Sequence, residues 1–308
     1  MGYDLELNPD RFVYSHARAL SSHPEFKLVG AVDQGFRERE TFKQIYKLPA
    51  YETLGQALAN QTVDLVVLAT PTTTHCQLFR ELLNSSSPKV VLCEKPLSYS
   101  IAESREMVAL CAQKGVALYV NYMRRSEPGA IEVKCRIERN EIAGNVKGIV
   151  WYSKGFLHNG SHLFNLLEDW LGEMRSFALI DNGRSLTNGD AEPNVRVMFE
   201  KGEVLFMAAK DEHFSLNAIE LVAKNGRLRY ENGGKYIQWT PIECDKELRG
   251  YAFLAQASEE IPSGLNRYQH FVLDQLADAF REKTARLCDG HQALQTLESM
   301  HSILRARG

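Results

Sequence analysis

The sequence predicts an α/β parallel-sheet domain followed by an α+β domain with a mostly antiparallel, open-faced sheet. Three observations carry that prediction. Short apolar runs alternate with segments of helical period over roughly the first 120 residues. After about Tyr122 the apolar residues instead recur at every second position. Turn pairs such as Lys201-Gly202 and Asn225-Gly226 separate the later runs. A chain of 308 residues is long enough for two domains, and the boundary is drawn between residues 1–121 and 122–308.

In order along the chain, a helix is expected around Ser15 to Ser21, then a β-branched strand from Phe26 to Asp33 that ends in an acid. Arg37 to Tyr46 carries Phe42 and Ile45 at helical spacing. Val63 to Ala69 is a nearly continuous apolar run, the mark of a strand buried on both faces, and it stops at Thr70-Pro71. Thr74 to Leu83 reads as helix and Lys89 to Glu94 as strand, closed by Lys95-Pro96. Ile101 to Lys114 is an amphipathic helix that ends at Gly115, where a glycine can take the left-handed conformation, and Val116 to Val120 is a further strand. In the second half Asn145 to Ser153, Val195 to Phe199, Glu203 to Met207 and Ala218 to Val222 alternate as one-side-buried strands do. Ser161 to Leu171, Arg267 to Phe280 and Gly290 to Arg305 are helical.

Composition narrows the function. Hydrophobic residues are 44% and charged residues 24%, the usage of an ordinary globular protein. With 36 Lys and Arg against 39 Asp and Glu, the net charge of -3 and the pI near 6.3 offer no footprint for nucleic acid or anionic membrane. No apolar stretch approaches the length of a bilayer span. The six cysteines form no C-x-x-C pair, and the first residues lack a basic region followed by an apolar one. Reduced thiols in a cytoplasmic chain are the expectation.

The beginning departs from a familiar pattern. A dinucleotide-binding domain opens with an apolar strand that runs into G-x-G-x-x-G, whose following helix N-terminus holds the pyrophosphate. Neither is present here. Asp33 nevertheless stands where the ribose-binding acid belongs, 31 residues after Gly2 instead of the usual spacing of about 20. The expectation is an incomplete nucleotide-binding domain whose first strand and glycine loop belong upstream of Met1.

Two places carry chemistry. Lys95, in Glu94-Lys95-Pro96, follows a buried strand directly and so stands at the carboxyl edge of the sheet, where open α/β sheets bind ligands. Pro96 holds the backbone behind it, and Glu94 can pair with it. The plainer alternative is a solvated loop charge. His162 follows Gly155-Phe156-Leu157-His158-Asn159-Gly160-Ser161 and opens the second domain's helix, where the dipole keeps an imidazole neutral. The alternative is a helix-entry loop in which Asn159 or Ser161 caps the helix and His162 is merely half-buried. His158 and His162 lie four apart, but no third ligand is near in sequence, so no metal is expected.

Taken together, Val63 to Pro71 with His75, Cys93-Glu94-Lys95-Pro96-Leu97-Ser98, Val120 to Arg125 and Gly160-Ser161-His162 resemble the Gfo/Idh/MocA family, the glucose-fructose oxidoreductase and inositol dehydrogenase group. The resemblance runs over nearly the whole chain. It implies a Rossmann-like first domain that binds NAD, with NADP as the alternative, and a second domain over whose sheet a secondary hydroxyl or keto group of a sugar, cyclitol or nucleotide sugar exchanges hydride with the nicotinamide. Lys95 matches the lysine that touches the reacting hydroxyl and the nicotinamide ribose, and His162 the histidine that exchanges the substrate proton. Asp33 matches the acid on the adenosine ribose, which favours NAD because a carboxylate repels a 2′-phosphate. Thr70, Pro71, His75, Glu94, Lys95 and Pro96 would line the cofactor, with Pro96 in the cis form. Asn121, Tyr122, Arg124, His158 and Asn159 would line the substrate side. Many members carry an acid four residues before the histidine and another three after it; here those positions are His158 and Asn165. These departures and the absent glycine loop keep a second reading open: a non-catalytic, dinucleotide- or sugar-sensing homologue, or an inactive N-terminally truncated form. The resemblance also implies a homo-dimer or homo-tetramer formed through the second domain's sheet, with Val195, Val197 and Phe199 on one face, joined by Leu205 and Met207 if the next strand pairs there.

Overall fold

The computed structural model describes residues 4–187 and 189–307, so Gly2, from which the spacing to Asp33 was counted, lies outside the described residues. The chain divides into two compact units: residues 1–123 with 266–294, and residues 124–265 with 295–308.

The first unit begins with α1 (His16–Ser22), β1 (Ala31–Val32), α2 (Phe36–Tyr46), β2 (Ala50–Tyr51) and α3 (Leu54–Asn60). Then come β3 (Leu65–Leu68), α4 (His75–Ser85), β4 (Val90–Cys93), α5 (Ile101–Lys114) and β5 (Ala117–Val120). Local chemistry explains several boundaries. Thr53 and Gln56 form a reciprocal capping box at the start of α3, an element that the sequence reading passed over. Ser100 caps α5 by accepting from the Glu103 amide, and Gly115, at φ 66°, closes it in the left-handed conformation.

β3, β4 and β5 are parallel neighbours, with Leu65 opposite Val90 and Val90 opposite Ala117. All four residues of β4 are buried, and they alternate between two cores. Val91 and Cys93 pack with Phe79, Leu82, Met107 and Val108 of α4 and α5. Val90 and Leu92 face the other way, onto Ala19 of α1 and onto Val272, Leu273 and Leu276. Those last three belong to α8 (Tyr268–Phe280), which lies beyond the sequence-drawn boundary at residue 121 and yet clusters with the first unit. The cause is burial. Each of the three side chains contributes about 1.5–3 kcal/mol on leaving water, and the α1 side of the sheet supplies the apolar surface. β15 (Cys288–Asp289) then adds an antiparallel edge strand beside β5.

β1 and β2 pair with each other as a separate parallel ladder. The strand expected over Phe26 to Asp33 is therefore only two residues long. Among the described residues no strand pairs with the second edge of β1 or of β3.

The second unit holds α6 (Pro128–Glu138), β6 (Val146–Tyr152), α7 (Ser161–Leu171), β7 (Met174–Ser185), β8 (Ala191–Phe199), β9 (Gly202–Ala208), β10 (Ala218–Ala223) and β11 (Gly226–Glu231). It continues with β12 (Tyr236–Cys244), β13 (Ala252–Leu254) and β14 (Glu259–Glu260); α9 (Gly290–Arg305) starts in the first unit and ends in this one. The sheet order is β13-β12-β11-β10-β6-β9-β8-β7, with β14 beside β12. Only β6 and β9 run parallel, so the sheet is mostly antiparallel as expected. One face is sealed by α7, where Phe164 meets both Phe199 and Phe206 and Trp170 meets Tyr230 edge-on.

Register corrects one expectation. Val195 stands opposite Phe206 and Val197 opposite Val204, so these four share the helix-covered face, whereas Leu205 and Met207 point to the other. That other face leaves Trp151, Val222 and Tyr236 exposed. No helix among the described residues is long and apolar enough to cross a membrane, and all six cysteines are free.

Candidate active site

In the first unit the strand ends converge. The ladder continues past β4 and β5, because the Glu94 amide donates to the Leu68 carbonyl and the Asn121 amide to the Cys93 carbonyl. This places Glu94 and Asn121 side by side at the carboxyl edge, where the Asn121 amide group donates to Glu94 Oε1 at 2.8 Å. His16 Nε2 approaches the same oxygen at 2.7 Å. Gln269 of α8 accepts from Asn121 and lies 3.4 Å from His16 Nε2. Burial pushes the Glu94 carboxyl up, but the His16 and Asn121 bonds and the Lys95 amide outweigh it, and the group sits below the usual glutamate value. The Glu94 carboxylate, which the sequence reading allowed to pair with Lys95, is engaged by His16 and Asn121. Lys95 follows, half-buried, and its peptide bond to Pro96 is cis.

His75 was expected to line a cofactor. It is fully buried, with Nδ1 3.0 Å from the Leu97 carbonyl and Nε2 3.0 Å from the Thr70 carbonyl. Both ring nitrogens face backbone carbonyls, a neutral ring can donate to one of them, and Cys93 Sγ lies 3.4 Å from Nδ1; the side chain sits between the turn after β3 and the segment after Pro96. Thr70 and Pro71 border that turn; Thr74 closes it by donating its amide and hydroxyl to the Pro71 carbonyl. Tyr122 is buried at the end of the same unit. Asp33 follows β1 and accepts from the Gly35 amide at 2.8 Å.

In the second unit a six-residue π-helical turn, residues 155–160, runs directly into α7. Its start is forced by two consecutive left-handed residues, Lys154 at φ 65° and Gly155 at φ 93°. A Cβ on Gly155 would meet Asp190 Oδ2 at 2.2 Å, so only glycine fits there. Asp190, nearly buried, accepts from the amides of Leu157 at 3.1 Å, His158 at 3.0 Å and Ala191 at 2.7 Å. Glu192 accepts from the Gly155 amide and from Arg184. Two acids from the start of β8 therefore hold the turn that carries His158 and Asn159 and leads to His162.

This corrects the helix-entry picture. Neither Asn159 nor Ser161 caps α7, and the Ser161 hydroxyl donates to the His158 carbonyl instead. Because the helical turns begin at Gly155, half-buried His162 is beyond the first turn, where a dipole acts most strongly. An open cavity of about 480 Å³ beside the turn is lined by Lys154, His158, Arg184, Ser185, Thr187 and Glu212.

Behind α7 lies a buried polar network. Arg125 donates to Asn165 Oδ1 at 2.7 Å and to the Asn165 carbonyl, Asn165 donates to Thr296, and Lys134 reaches Asp169 at 2.6 Å. Asn165, at a position where the resemblance led one to look for an acid, is thus fully engaged. Burial raises the Glu168 carboxyl to about 7 despite bonds from Thr296 and Ser299 and the charge of Arg125. Arg124 donates to the Gly233 carbonyl, an anchoring contact within this unit. The sequence reading did not find His16, Gln269, Asp190 or Glu192. His16 and Gln269 lie far apart in sequence, and the only cue for Asp190 was its place in a hairpin turn.

A dinucleotide can be tested against these residues. Asp33 follows a parallel strand and Glu94-Lys95-Pro96 closes another, so carboxylate acceptors and a lysine stand at strand ends, the groups that ribose hydroxyls and a nicotinamide would require. The diphosphate end differs. The amides of Tyr14 and Ser15, ahead of α1, both donate to buried Asp4 Oδ2, at 2.7 and 2.9 Å. Arg18 stands beside that carboxylate. A diphosphate brought to the start of α1 would meet a carboxylate.

A parallel sheet covered on both faces by helices, with polar groups gathered at its carboxyl edge, defines a nucleotide-binding α/β protein. Comparison with known proteins makes this specific. Residues 10–122 match the model of the GFO_IDH_MocA oxidoreductase family, described as having an NAD-binding Rossmann fold. Scyllo-inositol 2-dehydrogenase (NAD(+)) of Bacillus subtilis is 32% identical over 158 residues, 49% of this chain; the chain spans less than half of that relative, 42% of it. Two solved structures share the fold. Aldose-aldose oxidoreductase from Caulobacter crescentus, complexed with glycerol, has a TM-score of 0.78 at 17% identity and covers 99% of this chain and 95% of its own. The WlbA dehydrogenase of Bordetella pertussis, complexed with NADH and UDP-GlcNAcA, has a TM-score of 0.75 at 19% identity and covers 95% and 91%.

Proposed function

We propose that this chain is an NAD-linked oxidoreductase acting on a secondary hydroxyl or keto group of a sugar, cyclitol or nucleotide sugar. The observation that carries the reading is Glu94-Lys95-Pro96 at the carboxyl edge of buried β4, in a segment that matches the model of an NAD-binding oxidoreductase family. The inositol dehydrogenase among the relatives and the UDP-sugar in a structural neighbour support the substrate class. Lys95 donates a hydrogen bond to the reacting oxygen, and His162 exchanges its proton. A bound nicotinamide supplies the hydride chemistry. Asp33 still has acceptor sites for ribose hydroxyls after taking the Gly35 amide, and its charge favours NAD over NADP. Glu94, Thr70 and Pro71 complete the cofactor side. Asn121, Tyr122, His158 and Asn159 belong to the substrate side; His75 and Arg124 instead position the backbone they bond. The exposed residues of the second unit's sheet suit assembly of two or four copies, and the free cysteines suit a reducing cytoplasm.

A second reading, a dinucleotide- or sugar-sensing homologue without catalysis, is favoured by one observation, the Asp4 carboxylate on the amides of Tyr14 and Ser15. Calorimetry with NAD(H) and NADP(H), followed by turnover on a panel of cyclitols and sugars, separates the two. The oxidoreductase reading expects NAD binding and a turnover that falls by about 10² or more in Lys95→Ala. Cofactor binding with no turnover on any of the panel selects the sensor. No binding of either cofactor defeats both.

A further inference from the structure

We infer that the seam between α1 and α8 in the first unit is a binding site for one divalent transition-metal ion, held by His23, His270 and Asp274. One ligand atom from each residue lies within 4.8 Å of the other two. His23 ends α1, and its side chain is buried. His270 and Asp274 are four apart on α8 and so share a face of that helix. The Asp274 carboxylate is divided between the two rings: Oδ1 lies 3.0 Å from His23 Nε2, and Oδ2 lies 3.9 Å from His270 Nε2. The rings themselves sit 5.1 Å apart, centre to centre.

Two features point to a metal beyond an ordinary ion pair. His270 Nδ1 is buried and has no hydrogen-bond partner, so this ring is not fully used by the protein. Asp274 remains partly exposed, which gives an ion a path in.

The geometry also sets the cost of binding. Ligand atoms about 2.0–2.2 Å from one zinc ion stand about 3 Å or a little more from one another. The site must therefore close by one to two ångströms, which requires the two rings to draw together as well as the Asp274 side chain to shift. His23 needs a second adjustment. The Glu25 amide donates to its Nδ1 at 3.2 Å, which puts the ring proton on Nε2, facing Asp274. On coordination through Nε2 that proton moves to Nδ1, and the amide of exposed Glu25 turns to water. The ring stays neutral, and no proton is released. Two imidazoles and one carboxylate suit zinc, cobalt or nickel, and the nitrogen ligands disfavour magnesium and calcium. Water fills the remaining positions. The ion would staple α8 to α1 over the sheet face that both helices cover, and this does not depend on the oxidoreductase reading.

The test uses the full chain carrying Cys244→Ser, because Cys244 is an exposed thiol that could bind metal itself. Co²⁺ is titrated while the visible d–d bands are followed, and Zn²⁺ is added during thermal unfolding. The expected result is one equivalent of Co²⁺ with no thiolate charge-transfer band. Zn²⁺ at a hundredfold its Kd should raise Tm by roughly 5 °C. Both effects should vanish in Asp274→Asn and in His270→Gln. Absence of the Co²⁺ bands in the unsubstituted site overturns the proposal without recourse to any variant. So does metal binding that survives both substitutions.

Discussion

The two units hold their chemical groups by opposite means. At the carboxyl edge of the first unit's sheet, side chains hold one another: His16 and Asn121 bond Glu94, and Gln269 bonds Asn121. In the second unit carboxylates hold the backbone: Asp190 and Glu192 bind the amides of a π-helical turn whose dihedral angles no regular helix supplies. A side-chain cluster can lose one member and keep its strands, because the ladder beneath is intact. A backbone segment held by a carboxylate loses its shape with that carboxylate. The first arrangement tunes charge, and the second sets position.

The strongest way to break this contrast is Asp190→Ala. It strands the buried amides of Leu157 and Ala191, each worth about 1–3 kcal/mol when unsatisfied, and releases the part-buried amide of His158. A loss of roughly 3 kcal/mol or more in a denaturant titration is expected, and a loss under 1 kcal/mol would show that the turn holds itself. By contrast, Glu94→Gln keeps the shape of the first cluster and should change stability far less.

Next comes Glu168, whose carboxyl is raised to about 7 by burial. In the unfolded chain it titrates near its ordinary value, so between these two pH values the folded state alone is protonated. Stability from this group is full at low pH and declines as pH rises from about 4.5 to 7, by up to about 3 kcal/mol. Glu168→Gln should flatten that slope and leave the variant the more stable above pH 7. An unchanged slope in chemical unfolding between pH 5 and 8 would sever the link between this network and the second unit's stability.

The smallest effect concerns Asp4. Burial opposes its ionisation, but Ser15, the amides of Tyr14 and Ser15 and the charge of Arg18 outweigh burial, and its carboxyl sits below the ordinary value. Its stabilising contribution is therefore present at neutral pH and disappears as pH falls through that lowered value. Asp4→Asn removes the charge a diphosphate would face, and NAD affinity by calorimetry should rise about tenfold, or about 1.4 kcal/mol. An affinity unchanged by the substitution would place the diphosphate elsewhere.

Much of this architecture was legible before any coordinates. α5, α7 and α9 have the limits that the sequence predicts: Ser100 and Gly115 bound α5, Gly172 stops α7, and the apolar period marks α9. The strands β3 and β4 announce themselves as apolar runs, although only β4 is fully buried and three residues of β3 are half-buried because one edge of that strand is unpaired among the described residues; Lys95 is found because it follows β4 directly. β7, β11 and β12 were missed: β7 alternates weakly, whereas β11 carries the strand period, with Leu228 and Tyr230 between Arg227, Arg229 and Glu231, and was passed over.

What the sequence by itself determined is the local grammar: where helices stop, which strands are buried, and which lysine and histidine stand at their ends. Tertiary structure alone decided the partners. It brought α8 to the first unit, set Gln269 beside Asn121, turned both nitrogens of His75 toward carbonyls and placed Asp190 under the turn before His162. The physical reason is range. Caps and periodicity act within a turn or two of chain, whereas burial and hydrogen-bond satisfaction reward any residue that reaches the right surface, however far away it lies in sequence.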